Sequence, residues 1–253
     1  MRLADKNIVV TGASGIAAAG ARASAREGAR VFVISLIPEE CEVLTAAIAG
    51  TGFAVADLSD ETQAEDAFDL ARSTMGSIDG LFAVAGGSGR RFGDGPIDEM
   101  SLEALGKTIE VNDGPAFLAA REAVRAMRGR GGSILLVSSV LATSPAPRYF
   151  ATHGYAAAKG AINAMTTALG AYYATEKIRV NAIAPGLVRT PMAERAEGNP
   201  DIVEYVAKKQ PLVGGLLDPE DIAAAAVFFL SDESSAITGQ VLAVDAGWSV
   251  TEA

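Results

Sequence analysis

Short apolar, β-branched runs alternate with longer amphipathic stretches along the whole chain. The runs fall at 7–11, 30–35, 52–56, 80–84, 133–139, 178–184 and 240–244, and they read as nearly continuous hydrophobic segments (IVV, VFVI, ILLV). Strands take that form, rather than an apolar–polar alternation, when both faces of a sheet are covered. Between them, helical patterns run near 15–27, 38–49, 60–75, 101–127, 152–174 and 218–230, several opening on the Asp or Ser that caps a helix. Strand–helix–strand repetition with connections of a dozen or more residues implies parallel pairing through right-handed crossovers. The expectation is an α/β fold, a doubly wound parallel sheet of about seven strands with helices on both faces. No linker, low-complexity tract or internal repeat divides the sequence, so residues 1–253 are read as one domain. Ligands of such folds bind at the carboxyl ends of the strands, near the point where strand order reverses.

Composition narrows the chemistry. With 31 acidic and 21 basic side chains the formal net charge is −10, and no basic cluster offers the Lys/Arg surface that neutralises nucleic-acid phosphates. One histidine, His153, and one cysteine, Cys41, cannot build a zinc site of the usual Cys/His type, and a lone cysteine cannot close an internal disulfide. Neither a metal nor a nucleic-acid partner is expected. At 49% hydrophobic residues the chain can bury a full core. No stretch approaches the ~18 consecutive apolar residues of a transmembrane helix, and Asp5 and Lys6 interrupt any signal-peptide core. A soluble, cytoplasmic protein without a membrane partner is expected.

The first run leads into TGASGIAAAG at 11–20. A Gly-rich turn between a first strand and a helix lets backbone N–H groups and the helix N-terminus meet a pyrophosphate, with Gly12 and Gly15 as the turn residues. Tight packing is the plainer use of such a turn. Asp57, just after the third run, is placed to accept a hydrogen bond from an adenine amino group, while Asp60 better suits a helix cap. Gly86 and Gly87 follow the fourth run, where a missing side chain lets backbone approach a ribose or nicotinamide; the glycines from Gly86 to Gly95 also read as a mobile loop. The second run ends at Ser35. An acid there receives the ribose 2′-hydroxyl of NAD, and a nearby Arg takes the 2′-phosphate of NADP. Ser35 is neutral, Leu36 is apolar, and Glu39 and Glu40 repel a phosphate, so the reading leans to NAD and leaves NADP open.

Tyr155 and Lys159 occur as YAAAK inside a predicted helix, and the i, i+4 spacing puts them on one face. A free tyrosine titrates near pH ~10 and is a poor base. A nearby ammonium favours the phenolate, as does the positive charge of an oxidised nicotinamide, so the pair can serve as general acid for a ketone or general base for an alcohol. In isolation the pattern is more often an ordinary surface pair. Ser138 and Ser139, however, end the fifth run at the same edge of the sheet, where a hydroxyl can hold a substrate oxygen beside the phenol, and Asn112 is a candidate for a hydrogen-bonded proton path.

In order and spacing these motifs resemble the short-chain dehydrogenase/reductase family, from about Asn7 to Val250. The family's turn appears as Thr11-Gly12-Ala13-Ser14-Gly15-Ile16, its adenine-side acid as Asp57 followed by Leu58, and its NAG-type segment as Ala85-Gly86. The segment RVNAIAPGLVRTPM carries the Pro185-Gly186 turn, with Val188 and Thr190 placed for the nicotinamide carboxamide, and ITGQVLAVDAGW resembles the last strand. The resemblance implies a Rossmann-like fold and an NAD(P)-dependent oxidoreductase that moves a hydride between nicotinamide and a ketone or secondary alcohol. It implies a catalytic set of Asn112, Ser139, Tyr155 and Lys159. Cofactor contacts then fall on Gly12, Ser14, Gly15, Ile16, Ser35, Asp57, Leu58, Ala85, Gly86, Tyr155, Lys159, Pro185, Gly186, Val188 and Thr190. In this set Tyr155 moves the proton and Lys159 lowers its pKa and binds the nicotinamide ribose, while Ser139 positions the substrate oxygen and Asn112 anchors a relay through water. A homodimer or homotetramer is also implied, paired through two long helices, one of them carrying Ala157, Ala161, Ala164, Ala168 and Ala171.

Three departures stand out. The turn is one residue shorter than TGxxxGxG, and Ala17 replaces its last glycine, which predicts a methyl crowding the pyrophosphate. The usual Asn-Asn-Ala-Gly reads Ala83-Val84-Ala85-Gly86, and the loop between Ser139 and Tyr155 is longer than common. The altered turn keeps a rival in view, a nucleotide-binding regulator with little or no turnover. A hydrolase has no support, because no Gly-x-Ser-x-Gly elbow accompanies the histidine. The expected substrate walls are the loop after Gly86 and the segments 140–154 and 187–215. Tyr149, Phe150 and Met192 give them an apolar part. Arg90, Arg91 and Arg148 are either receptors for an anion or, more commonly, solvated loop arginines.

Overall fold

The computed structural model describes residues 1–252, and in it the seven apolar runs become the strands of a single parallel sheet. They are β1 (Asn7–Thr11), β2 (Arg30–Ser35), β3 (Gly52–Val55), β4 (Gly80–Ala83), β5 (Gly132–Val137), β6 (Ile178–Pro185) and β7 (Val241–Val244), in the order β3-β2-β1-β4-β5-β6-β7. The helices are α1 (Gly15–Arg26), α2 (Pro38–Ala46), α3 (Glu61–Met75), α4 (Leu102–Met127), α5 (His153–Tyr173), α6 (Glu194–Glu197), α7 (Pro200–Lys209) and α8 (Pro219–Leu230).

The two covered faces explain why the strands read as unbroken apolar runs. Val9, Ile34, Leu81, Ile134 and Leu136 pack under α3, α4 and α5, whereas Ile8, Val10, Val33, Phe82, Leu135 and Val137 pack under α1, α2 and α8. Successive side chains along a strand alternate between two layers, and both layers are dry. Strand order reverses between β1 and β4, which pair from Ile8↔Gly80 to Thr11↔Ala83, so the predicted ligand crevice opens beyond Thr11 and Ala83.

A third apolar cluster lies outside both layers. Val140, Ala146, Ala193, Ala196, Ile202, Val206, Leu216 and Trp248 form it, with Tyr149, Phe150 and Tyr205 at its margin. It joins the segments after β5, β6 and β7 into a lobe over the carboxyl end of the sheet. Helices α6 and α7 have no counterpart among the expected helices. Asn199 caps α7 by accepting from the N–H groups of Asp201 and Ile202, and Pro200 stands in its first turn. Among the described residues no helix is long and apolar enough to cross a membrane.

Candidate active site

Beyond β1 the backbone turns through Gly12 and Gly15 at φ of 93° and 49°, a region that favours glycine. Ser14 is the N-cap of α1, yet its hydroxyl makes no cap hydrogen bond. The hydroxyl and the first N–H groups of α1, at Gly15 and Ile16, therefore stand free where the helix dipole favours an anion. Ala17 does not crowd this position, which corrects the expectation. It is 1% exposed and packs under the turn, 3.2 Å from where a Cβ on Gly12 would stand. That contact also explains why residue 12 is glycine.

The loop after β6 reaches back over the turn. Pro185 ends β6, the Gly186 N–H donates to the Val244 carbonyl at 3.1 Å, and Val188 bridges to Leu217. A side chain at Gly186 would collide with Gln210, whose amide brackets the Leu187 backbone, accepting from its N–H at 2.6 Å and donating to its carbonyl at 3.1 Å. Thr190 then meets Gly15 so closely that a Cβ there would stand 2.8 Å from Thr190 Cγ2.

At the β2 end Ser35 is buried near Cys41, Leu36 is exposed, and Glu39 and Glu40 occupy the first turn of α2. At the β3 end Asp57 Oδ1 accepts from the N–H and hydroxyl of Ser59, at 2.9 and 2.6 Å. Asp60 is the α3 cap, accepting from the Gln63 N–H at 2.9 Å. The Leu58 side chain belongs to the core, which leaves only its backbone groups for a ligand. At the β4 end the N–H groups of Val84 and Ala85 both donate to Thr11 Oγ1, at 3.0 and 3.1 Å. A Cβ on Gly86 would stand 3.0 Å from Asn112 Oδ1 and 3.6 Å from Lys159 Nζ, so this glycine seats the loop against both. A free helix N-terminus approached through glycine, a carboxylate beyond β3 and a glycine seat beside a lysine together fit a dinucleotide.

Tyr155 and Lys159 project from the first two turns of α5. Lys159 is 4% exposed; its ammonium donates to the Val137 carbonyl at 3.0 Å and lies 5.5 Å from the Tyr155 ring centroid. Burial pulls the lysine down to about 8, opposed by the charge of Asp113. Tyr155 is only partly exposed, and the protein packed around it pushes the phenol up to about 12, opposed by the nearby Ser139 side chain, whose hydroxyl accepts from the Leu141 N–H at 3.2 Å. Strand alternation separates the two serines. Ser138 turns its hydroxyl onto the Lys159 carbonyl at 3.0 Å, fixing α5 to β5, and Ser139 is left facing the phenol.

Asn112 is fully buried in α4, and both of its amide hydrogens are taken. Nδ2 donates to the carbonyls of Gly87 and Thr108, both at 2.9 Å, while Oδ1 accepts from the Gly87 N–H at 3.4 Å. Asp94 is a residue the sequence reading missed. Its carboxylate accepts from the N–H groups of Gly154 and Tyr155, at 2.8 and 2.9 Å, and so caps α5, whose own N-cap residue Thr152 makes no cap bond. Asp113 was missed as well; its Oδ1 is buried without a hydrogen-bond partner and burial pushes its pKa up. His153 is exposed at the start of α5.

Known proteins resemble the chain over nearly its whole length. A family profile described as enoyl-(acyl carrier protein) reductase matches residues 10–249. A 2,5-dichloro-2,5-cyclohexadiene-1,4-diol dehydrogenase of Sphingobium indicum is 34% identical over 255 residues, 98% of each chain. The cis-4-hydroxycyclohexanecarboxylate dehydrogenase of Sinomonas cyclohexanicum is 36% identical over 252 residues, and 2-(S)-hydroxypropyl-CoM dehydrogenase 3 of Xanthobacter autotrophicus is 37% identical over 257, each match covering 97% of both chains. Among solved structures, a short-chain type dehydrogenase/reductase from Mycobacterium ulcerans superposes with a TM-score of 0.91 at 29% identity, covering 100% of this chain and 92% of that one.

Proposed function

This chain belongs to the short-chain dehydrogenase/reductase family, and on that premise we propose that it interconverts a secondary alcohol and a ketone with NAD as cofactor. It is an oxidoreductase acting on CH–OH groups with a nicotinamide cofactor and a small-molecule substrate. The observation that carries the proposed chemistry is the Tyr155–Lys159 pair on one face of α5 with Ser139 at the phenol. NAD is favoured over NADP because the β2 end offers Ser35 and Leu36 and no arginine, with Glu39 and Glu40 beside it to repel a 2′-phosphate. Two of the relatives are named for six-membered ring alcohols, and the aromatic margin of the lobe suits such a ring.

The Gly12–Ile16 turn, the Gly86 seat and Lys159 would hold a nicotinamide cofactor, which would supply hydride exchange with the carbinol carbon and, when oxidised, a positive charge that favours the phenolate. Ser139 and Tyr155 hold the substrate oxygen between two hydroxyls. In the reducing direction Tyr155, neutral at pH 7, gives its proton to the oxygen and becomes phenolate; in the oxidising direction it must first lose its proton, and the phenolate then takes the alcohol proton. Lys159, titrating at about 8, is largely an ammonium at pH 7 and stabilises the phenolate. Both amide hydrogens of Asn112 are committed, so its part is to hold the Gly86–Gly87 loop against Lys159. The exposed α4–α5 face supports a homodimer or homotetramer, and the reduced lone cysteine suits the cytoplasm.

Fluorescence titration with NADH and NADPH tests the cofactor assignment, with NADH binding expected to be the tighter. Failure of both to bind overturns the reading. Tyr155→Phe is expected to lower turnover at least about 100-fold while keeping NADH affinity within about twofold; normal turnover removes Tyr155 from its role.

A further inference from the structure

Three segments leave the carboxyl ends of neighbouring strands and meet at the Tyr149 carbonyl. The turn Gly89–Phe92 follows β4, the stretch containing Tyr149 and Phe150 follows β5, and α6 follows β6. Arg90 comes from the first and Arg195 from the third. Their guanidinium groups converge on one backbone atom, the Tyr149 carbonyl oxygen, to which Arg90 Nη2 donates at 3.4 Å and Arg195 Nη2 at 3.5 Å. We infer that this convergence is an anion subsite, and that the substrate carries a carboxylate or sulfonate, on the skeleton of the reacting alcohol, that Arg90 and Arg195 clamp at the mouth of the cleft. The inference rests on the dehydrogenase reading and names the substrate class for it.

Both contacts lie at the long end of the hydrogen-bond range and use one donor each of the five a guanidinium offers. Among the described residues neither arginine forms an ion pair, in a chain with ten more acids than bases (31 − 21). Acids are at hand in the same lobe, but Glu197 and Asp218 pair with Arg189 instead. Burial and the charge of Arg195 both push the Arg90 guanidinium down, with only Asp94 opposing. Two like charges held together without an ion-paired carboxylate, Asp94 being engaged by the Gly154 and Tyr155 N–H groups, are relieved by a bound anion.

The cluster is also built rather than loose. The Arg195 guanidinium lies 6.0 Å from the centroid of Phe150, which meets Trp248 edge-on at 5.9 Å, and Arg148 covers Tyr149 at 5.0 Å. Arginine stacked on an aromatic floor loses little freedom when it binds a planar carboxylate. Arg90 is tied to the reacting group through Asp94, whose N–H donates to the Gly89 carbonyl at 3.1 Å while its carboxylate accepts from the Tyr155 N–H. The turn that carries Arg90 and the helix that carries Tyr155 are thus joined through Asp94, and a substrate spanning the two carries its anionic group and its reacting alcohol on one skeleton.

Trp248, the only tryptophan, is buried against Phe150 under Arg195, so its emission reports on the subsite. The experiment titrates that emission with cyclohexanecarboxylate, cyclohexanesulfonate and the neutral isostere cyclohexanecarboxamide. At least one anion is expected to bind about tenfold or more tighter than the carboxamide, and comparing the two anions distinguishes carboxylate from sulfonate. Arg90→Gln and Arg195→Gln, checked for folding by circular dichroism, are each expected to remove most of that preference, and Arg195→Lys to restore part of it. Equal binding of the anions and the carboxamide overturns the inference, as does a preference that survives both glutamine variants. NADH titration of the same preparations separates the two readings. Cofactor binding without an anion preference sinks the subsite alone, whereas loss of all cofactor binding sinks the dehydrogenase reading.

Discussion

Lys159 is carried into the interior as a cation, and pH can remove that cost. Its pKa falls from 10.5 to about 8 because burial disfavours the charged form. Between those values the unfolded chain binds more protons than the folded one, so stability rises with pH from about 8 to 10.5. Tyr155 acts in the opposite sense higher up: raised from 10.0 to about 12, it holds in the fold a proton that the unfolded chain loses, and stability falls as pH rises through that window. Lys159→Met removes a penalty of about 3 kcal/mol at pH 7 and one hydrogen bond, to the Val137 carbonyl, worth about 1 kcal/mol. The variant is expected to be inactive yet to melt about 4–8 °C higher at pH 7, with the advantage gone by pH 10.5. Calorimetric melts at both pH values check it, and a lower melting point at pH 7 contradicts the burial argument. The pair itself was legible in the sequence because i, i+4 is a local relation. Asp94 was not, since its partners lie 60 and 61 residues away and nothing near Asp94 in the chain announces them.

At the scale of elements, the inner strands were readable because burial on both faces leaves an apolar run that no surface helix imitates, and the edge strands β3 and β7, partly exposed, keep the same apolar, β-branched character. The signs for α7 were present too: Asn199 and Pro200 at its start, and Ile202 and Val206 four apart on its buried face. The same segment also reads as a pocket wall, and a ten-residue helix between two loops leaves little periodicity to tell the two apart. Ala17 shows the reverse error, where the residue type was read correctly but its direction, inward against Gly12, is set by how α1 docks on β1. The cap of α5 follows the same logic. A helix end whose own N-cap residue makes no bond takes its acceptor from another element, and here a carboxylate serves two N–H groups at once. Asp94→Ala is expected to cost about 1–2 kcal/mol of stability and to lower kcat, because it frees the first turn of α5, on which Tyr155 stands. Asp94→Asn, which keeps one acceptor oxygen, is expected to fall between the two in urea unfolding and in turnover. If the alanine variant unfolds at the same urea concentration as the parent, the cap is not what holds that turn.

At the scale of the molecule, the proposed dimer sets an apolar surface against the charge of the whole chain. Phe117 and Ile109 on α4 are exposed at 53% and 38%, and Ala157, Ala161, Ala164, Ala168 and Ala171 leave the outer side of α5 smooth enough for close helix packing. Two chains each carrying −10 repel one another, so salt that screens the repulsion is expected to strengthen association across this face. Light scattering is expected to give two or four times 25.9 kDa, with dissociation on dilution suppressed as ionic strength rises from about 0.05 to 0.5 M. Ala164→Arg places a cation at the centre of the face without touching Tyr155 or Lys159, and is expected to shift the particle toward 25.9 kDa. A variant that keeps the parent's mass, or an assembly that loosens as salt is added, moves the interface away from α4 and α5. The edge strand β7, with Val241 and Leu242 partly exposed, would then be the surface to break next.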